Sequence, residues 1–509
     1  MVRLLFLVHR YLGIAVGLVV TLWCLSGFVM MYVQYPELTR ADRVAWLEPL
    51  DLRECCRLPN HFGNIAVDRF AVEMLAGRPV LRVFAGPRQY VMDMAGGQIV
   101  GGLDETAARS VATSAARTFG LAGQPVLRGR IERDQWTVAG SYHPHRPLYH
   151  FAMDDVPGTE FYVSSTAGEI VQTTTTHVRF WNWLGAVVHW LYPTMLRQHT
   201  AVWLQVVIWL TIVSLFLSVI GAYVGIRQFR FRLHGRRSPY RGWGLWHHYA
   251  GLVFGLFTLT WLVSGLFSVN PWGALEGRSF ANEAERLGGL RLGFADVREA
   301  VGSLGGSVVP RGTVRLEGFA TGGELSYLAT DAQGQRRRVD PAAFRAAPLP
   351  ESYFERAPAT LRPDAAVRDA GWIGTGDAYY YTHHETRSFP VYRIRYEDGE
   401  RLYLDRVSGH LVYAVDRERR WLRWVFHALH RGDLHAVVRA RPLWDLMMWL
   451  LLLGVTAGTV TGTWMGARRI VRWSANRARH LFNATPEIDA DRSVASVATP
   501  QEDARTPYG

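Results

Sequence analysis

Four stretches of this chain are apolar for long enough to cross a lipid bilayer, which takes ~20 residues of helix. They lie at about 11–33, 201–226, 250–269 and 443–466. Backbone that enters hydrocarbon must satisfy its own hydrogen bonds, so these stretches are committed to helix. Few formal charges fall inside them; Asp445 stands at the start of the last. The first run is too long for a secretory signal, has no A-x-A site, and is expected to stay as a span.

The charge pattern orients the spans. The net charge is +12, and all 56 basic residues are arginine. Arg227, Arg230, Arg232, Arg236, Arg237 and Arg241 follow the second run, Arg468, Arg469 and Arg472 follow the fourth, and Arg3 precedes the first. Arginines grouped at span ends follow the positive-inside rule, and no nucleic-acid partner is expected. Both termini are then cytoplasmic, membrane lipid surrounds the spans, and the two long inter-span segments lie outside. The chain has three cysteines, of which Cys55 and Cys56 are adjacent, so disulfides do not organise the fold.

The chain also repeats itself. "HRYLGIAVGLVVTLWCLSG" opens at His9 and "HHYAGLVFGLFTLTWLVSG" at His247. Tyr11, Gly13, Gly17, Trp23, Ser26 and Gly27 match Tyr249, Gly251, Gly255, Trp261, Ser264 and Gly265. "EFYVSSTAGEIV" (160–171) aligns with "RLYLDRVSGHLV" (401–412), each a hairpin pattern of two short strands about a glycine turn. The match continues through Trp183 and Trp424, His189 and His430, Trp203 and Trp444, Gly221 and Gly462, and Gly225 and Gly466. A unit of span, outside domain and span, written twice, makes a parallel repeat about an axis along the membrane normal.

The expected fold is therefore a membrane α-helical protein: a four-helix transmembrane bundle from a tandem repeat, with two α+β domains outside. The chain divides into a first span (1–35), an outside domain (36–178), an outer-face helix with the second span (179–226) and an Arg-rich cytoplasmic loop (227–246). A third span (247–270), a second outside domain (271–419), an outer-face helix with the fourth span (420–470) and a polar, disordered cytoplasmic tail (471–509) follow.

Histidines repeat with the spans. His9 and His247 match near the inner face, and His189 and His430 match near the outer face. A lone histidine at a helix end is ordinarily structural, but an ionisable group repeated in both copies at both membrane faces is a functional candidate. A two-fold axis brings equivalent imidazoles together, and two facing imidazoles suit the axial positions of a b-type haem. No C-x-x-C-H is present, so attachment is non-covalent. Two pairs imply two b-type haems, with His9, His247, His189 and His430 as axial ligands. His248 is an alternative to His247, and His427, one turn before His430, can ligate or line the outer site. Gly13 and Gly17, like Gly251 and Gly255, are spaced for close approach of a helix or a flat macrocycle. His199 and His435 have no partner in the repeat, and His234 lies on the inner side. Outside, His143, His145, His383 and His384 read as solvated loops rather than ligands for a metal. Arg146, Arg387 and Arg393 are candidates for attracting an anion.

The repeated histidine phrase, the two hairpins and "TGTW" (461–464) resemble the PepSY-associated transmembrane proteins, the family of bacterial iron-regulated membrane proteins that includes inner-membrane ferric-siderophore reductases. The resemblance covers roughly residues 1–470. It implies two PepSY-type periplasmic domains, two haems in the bundle held by His9, His247, His189 and His430, and reduction of a ferric siderophore or other ferric chelate in the periplasm. The long tail and the His247–His248 doublet depart from the family pattern. No nicotinamide- or flavin-binding segment is evident, so a separate electron donor, a quinol or a soluble flavoprotein, is expected. The alternatives are a non-redox regulatory or scaffold membrane protein, or a periplasmic metal-binding component of uptake.

Overall fold

A computed structural model describes residues 2–59, 62–63, 65–231 and 235–483. His234, Arg232 and the tail from 484 onward lie outside the described residues. Four helices, Val2–Met30, Thr200–Gln228, Trp243–Ser268 and Leu443–Asn483, are long and apolar enough to cross a membrane. The first and third each pack against both the second and the fourth, which closes a four-helix ring.

The ring has the inverted polarity of a membrane bundle. Its buried residues include Thr21, Ser26, Thr211, Ser214, Ser264 and Thr461, whereas Leu18, Trp209, Leu256 and Leu450 face outward. Small hydroxyl residues let helices approach and bond back onto their own carbonyls. Thr21 donates to Gly17 O at 2.8 Å and Ser214 to Leu210 O at 2.8 Å. Outward leucine and tryptophan at this density need an apolar surrounding.

Two boundaries differ from the sequence reading. The first helix starts at Val2, within the expected first span, because residues 4–8 are already apolar, so His9 lies inside it. The third starts at Trp243, which places His247 one turn inside. The fourth runs to Asn483, so residues 471–483 are helical and not a disordered tail. Arginine-rich sequence has good helix propensity, and an established helix extends cheaply once nucleated.

Outside the ring the chain is built of antiparallel sheets. Val126–Ile131, Leu148–Ala152, Glu160–Ser164 and Ile170–Thr174 form one four-stranded sheet in chain order, and Val367–Ile373, Val391–Tyr396, Arg401–Asp405 and Leu411–Val415 form another. Both hairpins expected at 160–171 and 401–412 are present. Glu105–Thr118 packs an alanine face on the first sheet, and Glu351–Leu361 covers the second. Asp134 and Asp377 play matching roles: each carboxylate accepts two backbone N–H groups of its own turn and the hydroxyl of Tyr162 or Tyr403.

The remaining strands correct the expectation of two separate outside domains. Arg69–Leu75, Arg78–Ala85, Arg88–Asp93 and Gln98–Ile99 join Thr313–Thr321, Glu324–Asp331 and Arg336–Val339 in one seven-stranded sheet. Thr313–Thr321 pairs antiparallel with Arg69–Leu75, with Gly318 opposite Phe70. Unpaired strand edges seek a partner, and here each segment supplies the other's. Cys55 and Cys56 are disulfide-bonded to each other and enclose no intervening chain.

Candidate functional site

His9 and His247 project into the ring from the first and third helices, with ring centroids 6.1 Å apart. His189 ends the short helix Ala186–His189, and His430 follows the helical segment Arg423–Ala428; their centroids are also 6.1 Å apart. All four partners predicted from the repeat meet. An imidazole bonded at ~2 Å to a metal has its centroid about 3 Å from it, so two on one metal stand about 6 Å apart.

Each imidazole is anchored the same way. Nδ1 of His9 donates to Leu217 O at 3.2 Å, and Nδ1 of His247 donates to Gly458 O at 2.9 Å. Nδ1 of His189 donates to Trp23 O at 3.1 Å and lies 3.1 Å from Ser26 Oγ. Nδ1 of His430 donates to Trp261 O at 3.3 Å and lies 3.1 Å from Ser264 Oγ. A carbonyl can only accept, so each Nδ1 carries the proton and each Nε2 keeps its lone pair for a metal. The four carbonyls occupy matching repeat positions, as do the two serines. A backbone carbonyl leaves no mark in sequence, so these anchors were not legible there.

Glycine makes room for the inner rings. A Cβ on Gly221 would lie 2.6 Å from Cε1 of His9, and one on Gly462 would lie 2.9 Å from Cε1 of His247. These two were visible as a matched pair in sequence, but nothing there tied them to histidine. Gly17 instead faces Thr463, Gly13 only grazes Leu217, and Gly251 and Gly255 face open space.

Two alternatives are resolved. His248 is buried with both nitrogens engaged, Nδ1 with Ser238 Oγ at 2.8 Å and Nε2 with Gly225 O at 2.8 Å, so His247 is the ligand candidate. His427 is half-buried beside Phe426; burial, with Arg431 beside it, pushes its imidazole down to about 4. His199 and His435 are exposed, and His435 caps the turn Ala436–Arg439.

Outside the ring, His143 is exposed and His145 stands 3.7 Å from Glu169. His383 and His384 are not a solvated loop. They pack against Trp444 and converge on Asp433, a residue the sequence reading did not single out. Arg146, Arg387 and Arg393 are spent on Thr137 O, Glu385 and Asp377. A cavity of about 610 Å³ lies against the central strand pair, lined by Arg40, Arg69, Arg315, Glu73, Glu317 and His410 among others. That volume is in the range that holds a small ligand.

No family model and no curated protein matches this chain.

Proposed function

We propose that the chain is a tandemly duplicated, PepSY-type membrane protein of the bacterial inner membrane that binds two b-type haems and reduces a periplasmic ferric chelate, a ferric siderophore in particular. One observation carries this reading. Two histidine pairs, one at each end of a membrane-length ring, have the same 6.1 Å spacing and the same Nδ1-to-carbonyl anchor. Chance does not build one arrangement twice from residues at matching repeat positions. Between His9 and Ser26, the contact of His189, the first helix rises roughly 25 Å, most of the hydrocarbon thickness.

The chain's own residues prepare the site. The carbonyls of Leu217, Gly458, Trp23 and Trp261 fix tautomer and ring orientation, and Ser26 and Ser264 brace the outer rings. Gly221 and Gly462 let the inner rings seat against helix backbone. The apolar ring keeps water out, which sets the dielectric around any redox centre. Haem held at each pair supplies a one-electron couple. The net reaction moves one electron to each Fe(III), so a quinol, leaving as quinone and two protons, or a two-electron-reduced soluble flavoprotein would serve two Fe(III); the Fe(II) formed is held less tightly by hard oxygen ligands.

Orientation follows the arginines. Arg3, Arg227, Arg230, Arg236, Arg237, Arg241, Arg468 and Arg469 flank the end that carries His9 and His247, opposite the sheets. The sheets are then periplasmic, and the cavity between them has room for a chelate.

The purified chain is expected to be red, with two haems per chain and the split α-bands of low-spin haem on reduction. His189→Gln and His430→Gln are each expected to remove about half the haem and leave the inner centre reducible. A colourless preparation from haem-replete cells, or retention of both haems in these variants, would overturn the assignment.

A further inference from the structure

We propose that His383, His384 and Asp433 form a binding site for a divalent first-row transition ion, at the outer end of the fourth membrane-length helix. Each residue has a donor atom, imidazole nitrogen or carboxylate oxygen, and all three lie within 4.8 Å of one another. An ion bonded at ~2.0–2.2 Å to imidazole and carboxylate draws its ligands to roughly 3–4 Å apart, so the cluster needs only side-chain adjustment to close on one.

Two further features point to a ligand. Nε2 of His383 and Nε2 of His384 are both buried and have no hydrogen-bond partner. Buried polar atoms are normally paired, and Nε2 of His384 lies 3.7 Å from Oδ1 of Asp433, too far for a hydrogen bond and close enough to share an ion with it. The carboxylate is also prepared as a ligand. An ion would take the place of the Nδ1 proton of His383, which leaves to solvent, and would bind between that nitrogen, Oδ1 of Asp433 and Nε2 of His384, which lies 3.7 Å from that oxygen; Tyr381 donates to Oδ2 at 2.9 Å, and the carboxylate side chain is 1% exposed. Supporting bonds of this kind orient metal ligands.

The donor set selects the ion. Ca²⁺ and Mg²⁺ need several oxygen ligands, and Asp433 is the cluster's one carboxylate. Arg423 fixes the loop by donating to Asp433 O at 2.6 Å, and Arg431 lies close enough to act on the carboxylate electrostatically. Nearby guanidinium further disfavours a hard cation held by charge alone. Two imidazoles and a carboxylate suit Fe²⁺, Co²⁺, Zn²⁺ or Cu²⁺. The site belongs to one half of the chain: the repeat position of Asp433 is Tyr192, and among the described residues His143 and His145 join no such group. None of this requires haem, although Asp433 stands three residues from His430.

The test uses the full chain in detergent, without a polyhistidine tag. Titration with Co²⁺ is expected to give visible d–d bands at one equivalent, bleached by Zn²⁺, and Zn²⁺ is expected to raise the unfolding temperature. Asp433→Asn and His384→Gln are each expected to weaken Co²⁺ binding at least ten-fold without change in the Soret band. His9→Gln and His189→Gln are expected to leave the Co²⁺ equivalent in place, which separates this site from the histidine pairs. Absence of d–d bands and of a Zn²⁺ thermal shift in the unaltered chain would overturn the proposal. So would an undiminished Co²⁺ equivalent in His383→Gln/His384→Gln.

Discussion

The inner histidines depend on two residues that have no side chain. Gly221 and Gly462 are close enough to His9 and His247 that a methyl group would press on each ring at 2.6 and 2.9 Å. Helix backbone does not yield to such a contact, so the imidazole must move. Gly221→Ala is expected to displace His9, lowering haem content to about one per chain while the outer pair keeps its spectrum. Unchanged haem stoichiometry in that variant would mean that His9 is not held where the structure has it. Histidine identity and position were legible because the phrase that carries them is written twice in the chain. His248 was not separable from His247 in sequence, since only packing against Ser238 and Gly225 takes up both of its nitrogens.

At the scale of elements, the central strand pair joins the two outside segments through buried charge. Glu73 sits with Arg82 and Arg315, and Glu317 with Arg315, Arg40 and Arg69. Burial pushes both carboxyls up, but the guanidiniums outweigh it and hold them below the ordinary glutamate value of 4.5. A carboxyl depressed in the folded state contributes stability that is complete above its unfolded value and is lost as pH falls below it. The outside sheets are therefore expected to unfold more readily as pH drops below about 4.5, read by thermal unfolding. Glu73→Gln leaves Arg82 and Arg315 short of a counter-charge and is expected to cost about 3–5 kcal/mol at pH 7 and to flatten the acid limb. Alternating strands at 160–171 and 401–412 were readable because period-two patterning is local. The pairing of Arg69–Leu75 with Thr313–Thr321 was not, because it joins residues more than two hundred positions apart and each strand alone looks like half of an ordinary hairpin.

For the whole molecule, each half is incomplete. Both histidine pairs take one member from each half, and the central sheet is closed by strands of both. A chain opened between Arg230 and Arg241, with both fragments co-expressed, is expected to reassemble, co-purify through a tag on either fragment and retain haem. Either fragment expressed alone is expected to hold none. Haem bound stoichiometrically by a single half would contradict the shared-pair architecture.

Span number, the direction of the arginine-flanked ends and the candidate ligands came from the chain's own pattern, because hydrophobic length, charge asymmetry and repetition are properties of neighbours along the sequence. Tertiary structure alone decided which histidine of the doublet is free and which carbonyls anchor the rings. It also drew His383, His384 and Asp433 together and merged two expected domains through one sheet. Each of these depends on atoms brought within a few ångströms by packing, which a one-dimensional pattern does not encode.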